Sequence, residues 1–313
     1  MTLTPFGGIF CPMVTPLNHD ETIDQASLRR LIDFLIDGGL HGLWVMGTTG
    51  EFALLPEAER ARAVAVTVEQ VAGRVPVIAN VGDSSTALAL RHARHAVEAG
   101  ADALACTPPH YYLHSMDEVI SHYRTLKEAF PEQPLFIYNI PQTVKVRMTL
   151  EATLQLAREG TASGIKDSQN DLQWFRTLAA TIHQEQRESQ FRLFLGTRTL
   201  IDVGIVAGAH GAIPANANVV PRACVLAYEG ARSGDWASAR SAQALATRYD
   251  DLANVAGAGS TNAATLSSLK HVLLSWGIID HPTVARPSRS LIPDEVAELK
   301  RRLQALPRIP PAD

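Results

Sequence analysis

The sequence predicts an α/β protein, a (β/α)8 (TIM) barrel carrying a C-terminal helical appendage. Three observations predict it. Short apolar runs alternate with helical patterns from the N-terminus to about residue 215; glycines recur between each helical pattern and the next run; and helical patterns continue alone beyond Pro221. Parallel strands need crossover helices, so a run of βα units closes most simply into a barrel. The expected division is a barrel over 1–220 and a helical domain over 221–313.

Eight runs read as strands: 8–13, 42–46, 75–80, 103–106, 135–138, 163–166, 192–195 and 211–213. Amphipathic segments separate them. Over 27–36, Leu28, Leu31, Ile32, Leu35 and Ile36 fall at the i, i+3, i+4, i+7, i+8 spacing of one helix face. Gly38-Gly39, Gly73, Gly100, Gly160 and Gly208 stand where these helices should stop, because glycine takes the left-handed cap conformation cheaply. The fragments DGGLHGLWV, EAGADALAC and VAGAHGAIP share this helix–Gly–strand layout, an internal repeat. After residue 220, helices are expected over 221–230, 234–255, 262–276 and 292–305, with Pro307–Asp313 frayed.

Composition narrows the function. The 313 residues are 46% hydrophobic and 19% charged with a net charge of −4, which suits an ordinary globular protein and points to neither nucleic acid nor a membrane surface. Cys11, Cys106 and Cys224 lie far apart, which favours free thiols in a reducing compartment over disulfides or a zinc site. The N-terminus lacks a signal-peptide layout and no apolar run is long enough to span a bilayer, so a cytoplasmic location is expected. His92 and His95 have no Cys or carboxylate partner in sequence and read as surface residues, and Arg91–His95 as a solvated helix face. No dinucleotide or P-loop motif occurs, so neither cofactor nor metal is expected. The four tryptophans read as packing residues.

Lys166 carries the chemical reading. The chain has five lysines against twenty-three arginines, and this one ends an apolar run just before the polar stretch Asp167-Ser168-Gln169-Asn170-Asp171. Desolvation there would lower its pKa and leave a nucleophilic amine able to form a Schiff base; the alternative is a lysine snorkelling to solvent. Tyr138 also ends a strand run, and Gly47-Thr48-Thr49-Gly50-Glu51 follows another. In a parallel barrel all three ends face the rim where barrel enzymes keep their sites. The turn's amides can converge on an anion, or the turn can simply cap a helix.

With Gly47-Thr48-Thr49-Gly50-Glu51, Tyr138-Asn139-Ile140-Pro141 and Gly164-Ile165-Lys166-Asp167 at these spacings, the chain resembles the dihydrodipicolinate synthase / N-acetylneuraminate lyase family of class I, pyruvate-dependent aldolases. Gly211-Ala212-Ile213, Ala217-Asn218-Val219 and Arg286-Pro287 extend the resemblance over nearly the whole chain. It implies a Schiff-base lyase that makes or breaks a C–C bond at C3 of pyruvate. Lys166 would form the imine, Tyr138 would move protons, and Thr48 would link Tyr138 to a tyrosine of a neighbouring subunit. That tyrosine is Tyr111, or Tyr112 after a one-residue shift. The amides of Thr48 and Thr49 would hold the carboxylate, the carbonyl of Ile213 would face the substrate, and Ser168 joins the substrate-binding candidates. The resemblance also implies a homotetramer, a dimer of dimers.

Two departures bear on substrate. Thr143 stands where dihydrodipicolinate synthases resembling this chain carry a carboxylate-gripping arginine, and that loss is not conservative. The polyol-reading stretch of sialic-acid lyases is here Gly196-Thr197-Arg198-Thr199, with Ala215 in place of a serine. Arg198 and Lys145 suggest positive charge near the mouth for an acid-tailed aldehyde, or else solvated rim charges. A 2-keto-3-deoxy sugar acid or a 4-hydroxy-2-oxo acid is the expected substrate class. Dihydrodipicolinate synthase itself, a dehydratase or hydratase-aldolase on the same imine, and a catalytically silent binding barrel are the alternatives.

Overall fold

A computed structural model of the chain describes Leu3 and residues 6–307. Eight parallel strands close into a barrel in chain order, each bonded to the next and β8 back to β1. They are β1 (Gly8–Pro12), β2 (Gly42–Val45), β3 (Val77–Asn80), β4 (Ala103–Cys106), β5 (Leu135–Asn139), β6 (Gly164–Asp167), β7 (Arg192–Leu195) and β8 (Gly211–Ala212). The eight expected runs differ from these by at most two residues at an end, chiefly where glycine or proline breaks the ladder.

The intervening helices are α1 (Gln25–Asp37), α2 (Glu57–Val71), α3 (Thr86–Glu98), α4 (Met116–Ala129), α5 (Pro141–Val144), α6 (Leu150–Arg158), α7 (Leu172–Gln184) and α8 (Ile201–Val206). Side-chain caps start several of them: Asp24 accepts from the Ser27 amide, and Ser115 and Glu118 form a reciprocal capping box. Then come α9 (Pro221–Ser233), α10 (Trp236–Asp250), α11 (Thr261–Ser275) and α12 (Pro293–Gln304). Helix α9, expected as the first element of the C-terminal domain, follows β8 and packs on β1, α8 and α10. Of the tail expected to fray, all but Pro307 lies outside the described residues. Among the described residues no helix is long and apolar enough to cross a membrane.

Two cores follow from the strand alternation. Outward residues such as Ile9, Leu43, Ile137 and Ile165 pack under the helices. Inward residues Phe10, Trp44, Ile78, Phe136, Tyr138 and Phe194 fill the barrel, with Phe6 among them. Their rings meet edge-on, Phe10–Phe194 at 5.2 Å and Phe6–Phe136 at 5.3 Å between centroids. Glycine opposite makes room for them: a Cβ on Gly164 would come within 2.5 Å of the Phe136 ring. The floor of the barrel is therefore aromatic.

At the opposite end from the rim, two histidines serve as acceptors. The Ile9 amide donates to His41 Nδ1 and the Leu193 amide to His210 Nδ1, each at 3.1 Å. Both rings must be neutral at that nitrogen, and burial lowers both pKa values, His210 from 6.5 to about 4. His122, buried between Thr86 and Cys106, is likewise held at about 4 by burial.

An unfolded histidine takes up its proton near pH 6.5, whereas His122 and His210 in the fold wait until about pH 4. The unfolded state thus binds more protons in between, and stability falls as pH falls through that window. Urea midpoints measured from pH 7 to pH 4 should decline, and His210→Asn, which retains an acceptor but does not titrate, should flatten part of the slope. An unchanged slope in that variant would remove His210 from the account.

Candidate active site

Strand ends β5 and β6 pair Tyr138 with Lys166 in register, so both side chains point into the barrel mouth from neighbouring strands. Lys166 is 3% exposed. Its Nζ lies 4.3 Å from the centroid of the Tyr138 ring and 4.8 Å from that of Trp44. The described residues offer it no carboxylate within ion-pair reach. Burial, only partly offset by Cys11, lowers its pKa from 10.5 to about 7, so near neutrality much of the amine is free of its proton. The snorkelling alternative does not hold, because the side chain runs inward.

Tyr138 is buried as well, and burial pushes its pKa up to about 12, so the phenol keeps its proton. Its oxygen lies 3.1 Å from Thr48 Oγ1, either atom donating. The amine thus lies over the face of a ring whose hydroxyl is hydrogen-bonded to Thr48.

The turn after β2 is tightly made. Met46 and Glu51 both have positive φ, 57° and 61°. The amides of Gly50 and Glu51 close on the carbonyls of Gly47 and Thr48 at 3.0 and 3.1 Å, and Thr15 Oγ1 donates to the Gly50 carbonyl at 2.7 Å. The amides of Thr48 and Thr49 have no protein partner among the described residues. Both residues border the pocket.

Glu51 itself turns away from the pocket. It forms a fully buried ion pair with Lys270 of α11, and its other oxygen accepts from the Ala285 amide at 2.7 Å. Lys270 also donates to the Thr283 carbonyl at 2.6 Å. The sequence reading missed this partner; a lysine between Leu269 and the run Val272-Leu273-Leu274 was the available signal.

A pocket of about 630 Å³ opens over these groups. Of the residues singled out from sequence, Thr48, Thr49, Tyr138, Thr143, Lys166, Ser168, Arg198 and Ile213 line it. Tyr111 does not. It is 73% exposed, with Tyr112 and Leu113 similarly displayed, and its φ is 85°. Lys145 also lies outside the lining; its Nζ sits 6.0 Å from the Tyr111 ring centroid.

Arg198 requires a correction. Its Nη1 is 2.9 Å from Asp250 Oδ1 and donates to Thr265 Oγ1 at 3.2 Å. The mouth therefore presents a compensated pair rather than free positive charge. Asp250, Thr261, Asn262 and Thr265 come from α10 and α11 and were missed, because no spacing in the sequence links residue 198 to residue 250.

His92 is a second correction: it is buried, with Nε2 3.0 Å from Asp83 Oδ2 and 2.9 Å from Arg60 Nη1. Burial would raise the Asp83 carboxyl, but His92, the Ser84 amide and Arg60 hold it well below its usual range. The three cysteines are free and buried. Among the described residues no group of three or more His, Cys, Asp or Glu could hold a metal ion.

Comparison with known proteins gives one consistent result. Residues 5–306 match the dihydrodipicolinate synthetase family. A 4-hydroxy-tetrahydrodipicolinate synthase of Phenylobacterium zucineum is 34% identical over 234 residues, covering 75% of this chain and 77% of the relative. The solved dihydrodipicolinate synthase of Bacteroides thetaiotaomicron is 30% identical with a TM-score of 0.88, covering 96% of this chain and 99% of that one. YagE, an E. coli prophage protein of the dihydrodipicolinic acid synthase family solved in complex with pyruvate, is 26% identical. Its TM-score is 0.88, with 96% and 98% of the two chains covered.

The Glu51–Lys270 pair makes the rigidity of the turn testable. Lys270→Met leaves a buried carboxylate unpaired, which should cost about 3–5 kcal/mol of unfolding free energy, and Glu51→Gln with Lys270→Met should recover a substantial part. Urea denaturation measures both. A single substitution costing under about 1 kcal/mol would mean that the pair does not hold the turn.

Proposed function

The chain belongs to the dihydrodipicolinate synthetase family, whose members are lyases of the class I aldolase kind, and from that premise we propose that it joins pyruvate to an aldehyde, or cleaves the adduct, through an imine on Lys166. The observation that carries the reading is a buried lysine amine with a pKa of about 7 set 4.3 Å from the centroid of the Tyr138 ring, whose hydroxyl is hydrogen-bonded to Thr48. YagE, solved with pyruvate, supports the choice of that 2-oxo acid.

The steps follow from the groups present. The turn amides of Thr48 and Thr49 hold the carboxylate of pyruvate, which places C2 above the amine. Neutral Lys166 attacks C2. The resulting carbinolamine oxygen takes a proton relayed through Tyr138 and leaves as water, giving the iminium ion. Its positive nitrogen withdraws electrons, so C3 gives a proton to the Tyr138 phenolate left by that relay, forming an enamine and restoring the phenol. The enamine carbon attacks the aldehyde carbonyl, Tyr138 supplies the proton to the new alkoxide, and water releases the 2-oxo acid and Lys166. Cleavage is the reverse. A general acid–base group of this kind contributes about 10²–10⁴-fold.

For the aldehyde partner, 2-keto-3-deoxy sugar acids and 4-hydroxy-2-oxo acids fit better than the acid-tailed aldehyde of a 4-hydroxy-tetrahydrodipicolinate synthase. Thr143 offers no charge to a second carboxylate, and the pocket's cation beyond Lys166 is already paired with Asp250. A dehydratase would use the same imine.

Pyruvate plus borohydride should inactivate the protein and modify Lys166, at a rate rising with pH through about 7 as the amine loses its proton. Lys166→Arg should abolish both trapping and turnover, since a guanidinium stays charged. Tyr138→Phe should keep trapping measurable while kcat drops by about 10²–10⁴-fold. An adduct on Lys145, or none, would sink the assignment.

The active assembly is proposed to be a homotetramer of two tight dimers, in which Tyr111 reaches a neighbour's site. Its display with Tyr112 and Leu113 outside its own pocket supports this. Mixing Lys166→Ala with Tyr111→Phe subunits should restore activity, because hybrid dimers hold one intact composite site. No recovery after confirmed subunit exchange would return Tyr111 to its own chain.

A further inference from the structure

Beyond the imine chemistry, on which it rests, we infer that the outer pocket is a reader of neutral, hydroxylated chains, and that Asp250 of α10 is its specificity-determining residue. The Arg198–Asp250 pair is half-spent on itself. One contact, from Nη1 to Asp250 Oδ1 at 2.9 Å, joins them, and the same nitrogen reaches Thr265. No hydrogen bond among the described residues engages Arg198 Nε or Nη2, or Asp250 Oδ2. What remains is a donor face beside an acceptor, at zero net charge, both bordering the pocket.

A hydroxyl both donates and accepts, so a diol can satisfy such a pair without bringing charge. A carboxylate can only accept, and it would meet Asp250 as well as Arg198. Coulomb attraction to the guanidinium is then opposed by repulsion from the neighbouring carboxylate.

The pair is held in place. The Arg198 carbonyl accepts from Gln243 Nε2 at 3.1 Å, which ties the loop after β7 to α10, and Asn216 Nδ2 donates to the Ala246 carbonyl at 2.9 Å. Around it the lining sets the amides and hydroxyls of Asn170, Thr197, Asn262 and Thr265 among the apolar Leu200, Ala215 and Leu266. Thr197 Oγ1 already donates to Asn170 Oδ1 at 2.8 Å, fixing that wall. Hydrogen bonding to a site's buried polar groups discriminates far better than apolar fit does.

Three four-carbon aldehydes condensed with pyruvate read the inference: D-erythrose, butanal and succinic semialdehyde. The wild-type protein should prefer erythrose by kcat/KM over both others. Asp250→Asn should lower the erythrose value about tenfold, the loss of one charge-assisted hydrogen bond, and raise that of succinic semialdehyde by releasing Arg198. Asn262→Ala, at an exposed position where folding is not at stake, should lower the erythrose value with an unchanged melting temperature. A wild-type preference for succinic semialdehyde overturns the inference. So does an erythrose-to-succinic-semialdehyde ratio that neither variant moves.

Borohydride trapping with pyruvate separates this failure from failure of the imine reading. Trapping on Lys166 with the wrong selectivity removes the hydroxyl reader alone. If trapping is absent, calorimetric binding of D-gluconate and adipate reads the pocket without turnover. Tighter gluconate, weakened by Asp250→Asn, supports the reader; equal or tighter adipate ends it.

Discussion

The fully buried ion pair between Glu51 and Lys270 joins the two parts of the molecule that build the pocket. Glu51 ends the turn that carries Thr48 and Thr49; Lys270 lies on the helix that carries Asn262 and Thr265. Removing two charges from water is costly, and their attraction offsets the cost only when remaining donors and acceptors are also met. Here they are, through Ala285 and Thr283. A contact with so few acceptable geometries specifies position more than it adds stability. The turn that bears Thr48 and Thr49 and the helix that bears Asn262 and Thr265 are thereby held in one frame.

A second lysine meets the same burial with less to oppose it. Burial lowers the pKa of Lys270 as well, but there the Glu51 carboxylate works against the shift and the Thr283 carbonyl accepts a second hydrogen bond. Lys166 has the faces of two aromatic rings above a floor of phenylalanines. Ring faces attract an ammonium by about 0.5–2 kcal/mol, which is too little to offset desolvation, so the proton is loosely held. The weak hold on that proton comes from what the barrel interior withholds. The aromatic residues of β1, β5 and β7 thus bear on the charge of Lys166 as well as on the packing.

The barrel was legible because its strands are short apolar runs punctuated by glycine, and those signals are local. Lys166, Tyr138 and Thr48 were legible for a related reason: polar residues at the ends of buried strands must converge on one rim. What failed was pairing at a distance. Arg198 was visible as a charge, but Asp250 lies 52 positions away on another element, and periodicity does not say which helix face covers a barrel mouth. His92 read as surface because its neighbours Arg91 and Arg94 are charged; Asp83 and Arg60, which bury it, belong to other segments. Helix α11 buries Ser267, Ser268 and His271 along with its leucines, so the polar residues of that stretch did not single out Lys270 as a buried charge.

The register of β5 against β6 has a consequence for how this gene can vary. Tyr138 and Lys166 face the pocket while their neighbours Asn139 and Asp167 face outward, where Asn139 Nδ2 donates to Asp167 Oδ1 at 2.7 Å. Strand alternation has a period of two, so inserting or deleting one codon within residues 164–167 would exchange the two faces. A carboxyl group would enter the pocket and an ammonium would enter the helix layer. The same length change in the surface loop at 185–190 alters no facing. Natural variants of this chain should therefore differ in length between strands and almost never within β5 or β6, a grammar imposed by the pleat.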